Sequence, residues 1–483
     1  MLKNYSSLAL LFLVLGILNA QTTAIPDANF EQALINLGID TDGTINQSVA
    51  TADISDVTVL DVHSKSITDL TGIEGFTSLT HLVCSYNQLT DLDLSQNTNL
   101  IELTCNDNQL INLNVTQNTV LTRLQCFNNT LETIDVTKNT ALTFLNFNNN
   151  QLTSIDITKN TLITSLGLTS NQLTTLDVSK NTALYYLQCQ ANQLTDLDVS
   201  KNIALSIFYC FSNQLTNLDV SLNTALVSLN CGRNQLTALN VSNNILLTQL
   251  NCDDNLFTDL ILDQNTALVG LVCYGNPLTS LDLSHNINLE ELYFFNNILT
   301  DIDLSYNVAL RTVYCAGSSF TSLDLGQNPA LTYVDCSYSQ NITTLNVKNG
   351  NNNSLVFFNA RSCNSLGCIQ VDDETLANND GAPYSTWIKN DTTVYSEDCA
   401  ALSIDENDLG QFINLYPNPV INHLTIDSKK PLKKVEIYSI LGTKVKNIKS
   451  NYTSIPMFEL SEGIYIIRLE SSTGIFNKKI LKK

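Results

Sequence analysis

The chain has 483 residues, of which 43% are apolar and 14% charged, and its formal net charge is −22. That balance argues against disorder, which needs low hydrophobicity and dense charge. The surplus of acid argues against nucleic acid as a partner, because phosphate binding needs clustered Lys and Arg. Four His and one Trp leave little material for a metal-rich or catalytic centre.

The first twenty residues read as an address. Lys3 gives a positive start, and Leu8 to Leu18 is an apolar run of eleven residues. That is too short for a bilayer core of ~30 Å. Leu18-Asn19-Ala20 ends in a small residue, so residues 1–20 predict a secretory signal cleaved after Ala20. The first cysteine is Cys84, so no thiol stands at the cut to carry a lipid. No later stretch has the length and apolarity of a membrane helix.

Residues 21–59 predict an N-terminal cap. Pro26-Asp27-Ala28-Asn29-Phe30-Glu31 reads as a helix start with Asp27 as its cap. Phe30, Leu34 and Leu37 fall on one face at helical spacing. Asp40-Thr41-Asp42-Gly43 looks like a fragment of a calcium loop, but the further ligands and closing Glu are missing. A plain turn is the expectation.

Residues 60–371 are a repeat. Ten of the thirteen cysteines (Cys84, Cys105, Cys126, Cys189, Cys210, Cys231, Cys252, Cys273, Cys315 and Cys336) stand at multiples of 21, and Phe147, Leu168 and Phe294 fill the gaps. One coil reads Leu79-x-x-Leu82-x-Cys84-x-x-Asn87-x-Leu89-x-x-Leu92-x-Leu94-x-x-Asn97. The next repeats it at Leu100, Leu103, Cys105, Asn108, Leu110, Leu113, Val115 and Asn118. This resembles the leucine-rich repeat. The resemblance implies about fifteen stacked 21-residue coils, since one coil cannot bury its own apolar face. At ~4.8 Å per rung the parallel ladder would run about 65–70 Å. Leu82 and Cys84 alternate inward as a strand does. A 21-residue coil leaves no room for a full second helix, so the segment typified by Leu173-Thr-Thr-Leu176-Asp-Val178 is expected to be extended.

Two asparagine columns, Asn87 to Asn297 and Asn97 to Asn328, recur every 21 residues. An amide donates and accepts at once, so both are expected to satisfy backbone at the turns. The cysteine column suits buried free thiols. Its runs of three, five and two leave odd thiols if paired, and no CxxC supports zinc. A column of Asp from Asp93 to Asp324 predicts solvated charge or local turn bonding, with cation attraction the sharper alternative.

The repeat decays after Val371, and residues 372–403 predict a C-terminal cap. Cys368 and Cys399 flank Trp387, and in an oxidising compartment they are expected to form a disulfide. A polar linker follows at 404–411. Residues 21–411 carry 11 basic and 41 acidic side chains, and residues 412–483 carry 12 and 5, so the net charge steps from −30 to +7. Such a step marks a domain boundary.

Residues 412–483 predict short alternating strands with Gly turns, a small β-sandwich. Leu415-Tyr416-Pro417-Asn418-Pro419, Gly442-Thr-Lys444-Val445, Gly463-Ile464-Tyr465 and Lys478-Lys479-Ile480 recur in order. The set closely resembles the type A sorting domain of the type IX secretion system of Bacteroidetes. Tyr416, Pro417, Asn418, Pro419, Gly463 and Tyr465 carry that motif. The resemblance implies export across the outer membrane by that machinery and removal of the tail. The body would then be released or attached to the surface.

The fold expected is therefore mainly β, a solenoid with a helical N-terminal cap and a terminal β-sandwich. Outward strand residues of a leucine-rich solenoid line its concave face. Here they include Tyr209, Phe211, Tyr274, Tyr293, Phe295, Tyr314 and Tyr333. Rings are not needed outside a core, and they concentrate binding energy. Strand preference of aromatics is the plainer explanation. The seven are the expected ligand-binding set, for a protein or glycan at the cell surface. Scattered histidines, no nucleophile motif and no phosphate loop make an enzyme the weakest reading, with no cofactor or metal expected. A glycan-binding accessory or adhesin and a structural surface component remain the alternatives.

Overall fold

In each coil three residues form a strand, and only the middle one turns inward. Leu187 of Tyr186–Gln188 and Leu229 of Ser228–Asn230 are buried while their neighbours stay part-exposed. The computed structural model describes residues 21–402, 413–428, 431–450, 452–471 and 474–483. The expected signal peptide and the 404–411 linker lie outside the described residues. Fifteen such strands, from Val59–Asp61 to Phe357–Asn359, form one parallel sheet in sequence order. The solenoid is mainly β, with about fifteen coils of 21 residues. The register never slips: each residue pairs with its equivalent one coil away, as in Ile207 with Tyr186 and Ser228. An insertion at Asn349–Asn353 stretches one coil, yet Tyr333 still pairs with Phe357.

The two Asn columns hold the turns. In the first, the Asn192 amide donates to the carbonyls of Leu168 (2.8 Å), Cys189 (3.0 Å) and Gln190 (3.3 Å), and its oxygen accepts from Leu173 N–H (2.9 Å). In the second, the Asn202 amide donates to the carbonyls of Val178 (3.0 Å) and Asn181 (2.9 Å). Its oxygen accepts nothing from the protein, and the same holds along that column. Just before each first-column residue the chain turns left-handed, as at Ala191 (φ 53°) and Ser212 (φ 55°).

The second segment alternates as expected, with Leu173, Leu176 and Val178 buried and Thr174 and Asp177 exposed between them. It pairs as an isolated bridge at Asp93–Asn114 and as parallel strands Ser322–Asp324 and Thr344–Asn346. In most other coils it forms no ladder, and a turn follows it, as at Ser179 and Lys180. Asp177 Oδ1 accepts from Ser179 N–H and Asp198 Oδ1 from Ser200 N–H.

At the N-terminus α1 spans Ala28–Asn36. Asp27 caps it through Asn29 and Phe30 N–H, and its other oxygen accepts from Thr68 and Asp69, tying the helix to the first coil. Phe30 and Leu34 are buried as the helical spacing predicts. Leu37 is 49% exposed, because it lies past the helix end as the C-cap. At the other end Trp387 donates to Leu355 carbonyl and packs on Phe358 at 4.5 Å, covering the last core layer.

The described chain forms two compact units. One runs to Gly367 and takes in Val371–Val394, and the other takes in Cys368–Gln370 and Tyr395–Lys483. A disulfide joins Cys368 and Cys399 within the second. That unit also holds a three-stranded antiparallel sheet (Ile413–Tyr416, His423–Ser428, Ser454–Pro456) and a four-stranded one (Lys444–Ile448, Leu432–Ser439, Gly463–Ser471, Gly474–Lys482). One core that includes Leu424, Val435, Ile455, Ile467 and Ile480 lies between them, making a β-sandwich. Asn418 fastens its last strand, donating to Lys479 carbonyl (3.0 Å) and accepting from Leu481 N–H (2.8 Å).

Glu436 sits almost buried in this sandwich. Lys444 Nζ at 2.6 Å, with Lys434 Nζ and Tyr438 Oη, holds its pKa down to about 2. A depressed carboxylate pKa stabilises the fold above its unfolded value, and that gain disappears as pH falls through the folded one. The sandwich is expected to lose Glu436's contribution between about pH 4.5 and pH 2. Melting of wild type against Glu436→Gln across this range checks it: the difference at pH 6 should vanish near pH 2.

Candidate binding face

The sheet's outward face carries three columns, set by register. The first strand position includes Glu291, Thr312, Tyr333 and Phe357, and the third includes Tyr209, Tyr293, Tyr314 and Asp335. Two residues beyond lies a column with Phe211, Asp253, Tyr274 and Phe295. Five of the seven expected rings meet there. Tyr274 and Phe295 stack at 4.2 Å, and Phe295 meets Tyr314 edge-on at 4.9 Å. Tyr314 faces Tyr293 at 6.2 Å and Tyr333 at 6.4 Å. Phe357, outside the expected set of seven, completes the run by stacking on Tyr333 at 4.4 Å. Tyr209 stands apart with Tyr186 at 6.3 Å, and Phe211 lies three coils before Tyr274 in the same column.

The run is oblique, and the sequence holds its signal. Phe295, Tyr314 and Tyr333 are 19 residues apart in a 21-residue coil. Each step slips two residues, keeping the face and moving one column over. Five rungs, four steps of ~4.8 Å, make the run about 20 Å long along the solenoid. Tyr86 and Tyr338, two residues past the inward Cys84 and Cys336, sit at the left-handed turn (φ 55° and 60°), away from the strands.

Tyr293, Phe295, Thr312, Tyr314 and Tyr333 line an open pocket of about 460 Å3. Partial burial, then the carboxylate of Asp335, push the hydroxyls of Tyr314 and Tyr333 up in pKa. Partial burial, then Glu291, do so for Tyr293. Asp335 is fixed by Ser337 N–H (2.9 Å), Ser337 Oγ (2.6 Å) and Asn359 Nδ2 (3.2 Å). At the other end of the run, Arg233 lies 3.6 Å from Asp254 and 3.9 Å from Asp253.

Behind the sheet the column cysteines are buried and free. Burial pushes the thiols of Cys189, Cys231 and Cys273 up to about 12, so they carry no thiolate at neutral pH. The Asp column is drawn into turns, and hydrogen bonds from the following Ser or Thr lower its pKa values, as at Asp156 and Asp177. At the N-terminal turn Asp42 accepts from Thr44 and Asn46. Among the described residues no group of three or more His, Cys, Asp or Glu is arranged to hold a metal. No described helix is long and apolar enough to cross a membrane.

Fold and tail together define a leucine-rich solenoid that carries a secretion signal. Residues 414–483 match the family model described as a secretion system C-terminal sorting domain, which marks the chain for secretion to the outer membrane or cell surface. A stretch of 51 residues is 51% identical to internalin J of Listeria monocytogenes serotype 4b (strain F2365). It covers 11% of this chain and 6% of that protein's length. The solved functional domain of InlJ from Listeria monocytogenes, described as including a cysteine ladder, is 28% identical over 96% of this chain and 99% of its own. Its TM-score is 0.67. An internalin, InlF, from strain 4b F2365 shares the fold at TM-score 0.55 and 21% identity, over 68% of this chain and 98% of its own. The body is thus an internalin-like leucine-rich solenoid with a cysteine column of its own.

Proposed function

We propose that this is a non-enzymatic recognition protein of the cell surface, binding a protein or other surface partner through the concave face of its solenoid. The continuous oblique run from Tyr274 to Phe357 carries the reading. Strand preference accounts for single rings on a sheet, but it does not order them into one contacting track. Half-exposed rings around an open pocket are where interface energy concentrates. The internalin-like fold supports the same reading.

Photo-crosslinking tests it. A photoreactive phenylalanine replaces Tyr333 on the ringed face, or Thr175 on the second segment, in the exported chain. Adducts with one surface component from position 333 and none from 175 are expected. Equal labelling from both positions, or none from 333, contradicts the proposal.

A further inference from the structure

The orientation of the rings narrows the partner. Tyr274 and Phe295 lie 11° from parallel, and Tyr333 and Phe357 lie 7° from parallel. Each pair spans adjacent rungs of one column, so the ring faces turn along the solenoid axis and cover one another. A sugar stacks on an open ring face, and these pairs present edges instead.

Between the pairs the rings spread. Tyr293 and Tyr314 are 6.2 Å apart, Tyr314 and Tyr333 are 6.4 Å apart, and Tyr314 stands 80° to Phe295. The opening is the pocket of about 460 Å3, which has room for the end of a long side chain. Open ring faces carry negative electrostatic potential. Glu291 and Asp335 adjoin them in the strands of Tyr293 and Tyr333. No Lys or Arg lines the pocket, and the nearby Arg311 is bound to Glu290 at 3.0 Å. The residues around it belong to a body of net charge −30. The same sheet face already holds a cation on a ring, with Arg123 Cζ 3.8 Å from the Phe144 centroid.

We propose that the pocket of Tyr293, Phe295, Thr312, Tyr314 and Tyr333 receives a Lys or Arg side chain from an exposed segment of a protein partner. Aromatic faces with flanking carboxylates bind a cation through ring and charge together. This inference rests on the recognition reading and gives its partner a chemistry.

The test uses the full chain and three probes: a lysine-rich decapeptide, the same peptide with every lysine acetylated, and cellohexaose. Calorimetry at physiological salt reads binding to wild type, Tyr314→Ala, Tyr314→Phe and Glu291→Gln. The lysine peptide is expected to bind, and acetylation or Tyr314→Ala to weaken it about tenfold. Tyr314→Phe keeps the ring and should keep binding, and Glu291→Gln should weaken it several-fold. Thermal melting confirms that the variants fold, and Tyr333→Ala replaces any that does not. Equal binding of the acetylated peptide, indifference to the ring, or ring-dependent binding of cellohexaose in its place overturns the inference. If position 333 still crosslinks to a surface partner, only the cationic pocket has failed. If it does not, the recognition reading falls with it.

Discussion

Replacing Asn192 with alanine is expected to destabilise the solenoid by about 3 kcal/mol. Its amide serves the carbonyls of Leu168, Cys189 and Gln190, and its oxygen serves Leu173 N–H. Alanine strands Leu173 N–H, at roughly 1–3 kcal/mol, and takes one bond from each of the three carbonyls, which keep Asn171 Nδ2, Asn213 Nδ2 and Ser170 N–H. Asn202→Ala is expected to cost less, although Asn202 is the more deeply buried of the two. The difference lies in the oxygen: that of Asn202 accepts nothing from the protein, so removing it also removes an unsatisfied acceptor. Urea unfolding of both variants checks the order. Equal costs would mean that the two columns do the same work.

Leu187→Ala is the second large effect, expected at roughly 2–5 kcal/mol. Leu187 is fully buried, and its partners in register are Leu166 and Phe208, both fully buried as well. The methyl groups it loses leave a cavity that the rigid ladder on either side cannot close. Tyr185, two residues earlier and 54% exposed, supplies the control: Tyr185→Ala should stay within about 0.5 kcal/mol. Repeat solenoids couple mainly to nearest neighbours, so the loss should appear first in the coils beside 187. Hydrogen exchange resolves this coil by coil. A cost below about 1 kcal/mol for Leu187→Ala would mean that the inward register is wrong.

Much of this was legible in the sequence because the repeat constrains it twice. A strict period of 21 fixes which residues meet one coil away, and alternation within three residues fixes which of them turns inward. Leu187, Cys189 and Asn192 therefore declared their places without a structure. The same holds for Asp27, whose position before Phe30 and Leu34 marks a helix start.

What escaped was set by contacts off the period. Leu37 fits the helical spacing of Phe30 and Leu34, but the helix ends before it. Glu31 lies in the helix start, and nothing in its spacing signals that it is buried, accepting from Asn46, Gln47 and Ser48 N–H. The rings were visible one by one, but their track was not. Reading by columns of 21 separates Phe295, Tyr314 and Tyr333, and only a step of 19 joins them.

Recognition by the concave face stands or falls with that track. The measurement is retention of the exported chain on bacterial and host surface extracts. It is made side by side with a folded variant carrying Tyr293→Ala, Phe295→Ala and Tyr314→Ala. The wild type is expected to be retained and the variant to pass through with an unchanged melting temperature. Equal retention of the two would show that the rings are strand chemistry alone and that recognition, if any, lies elsewhere on the chain.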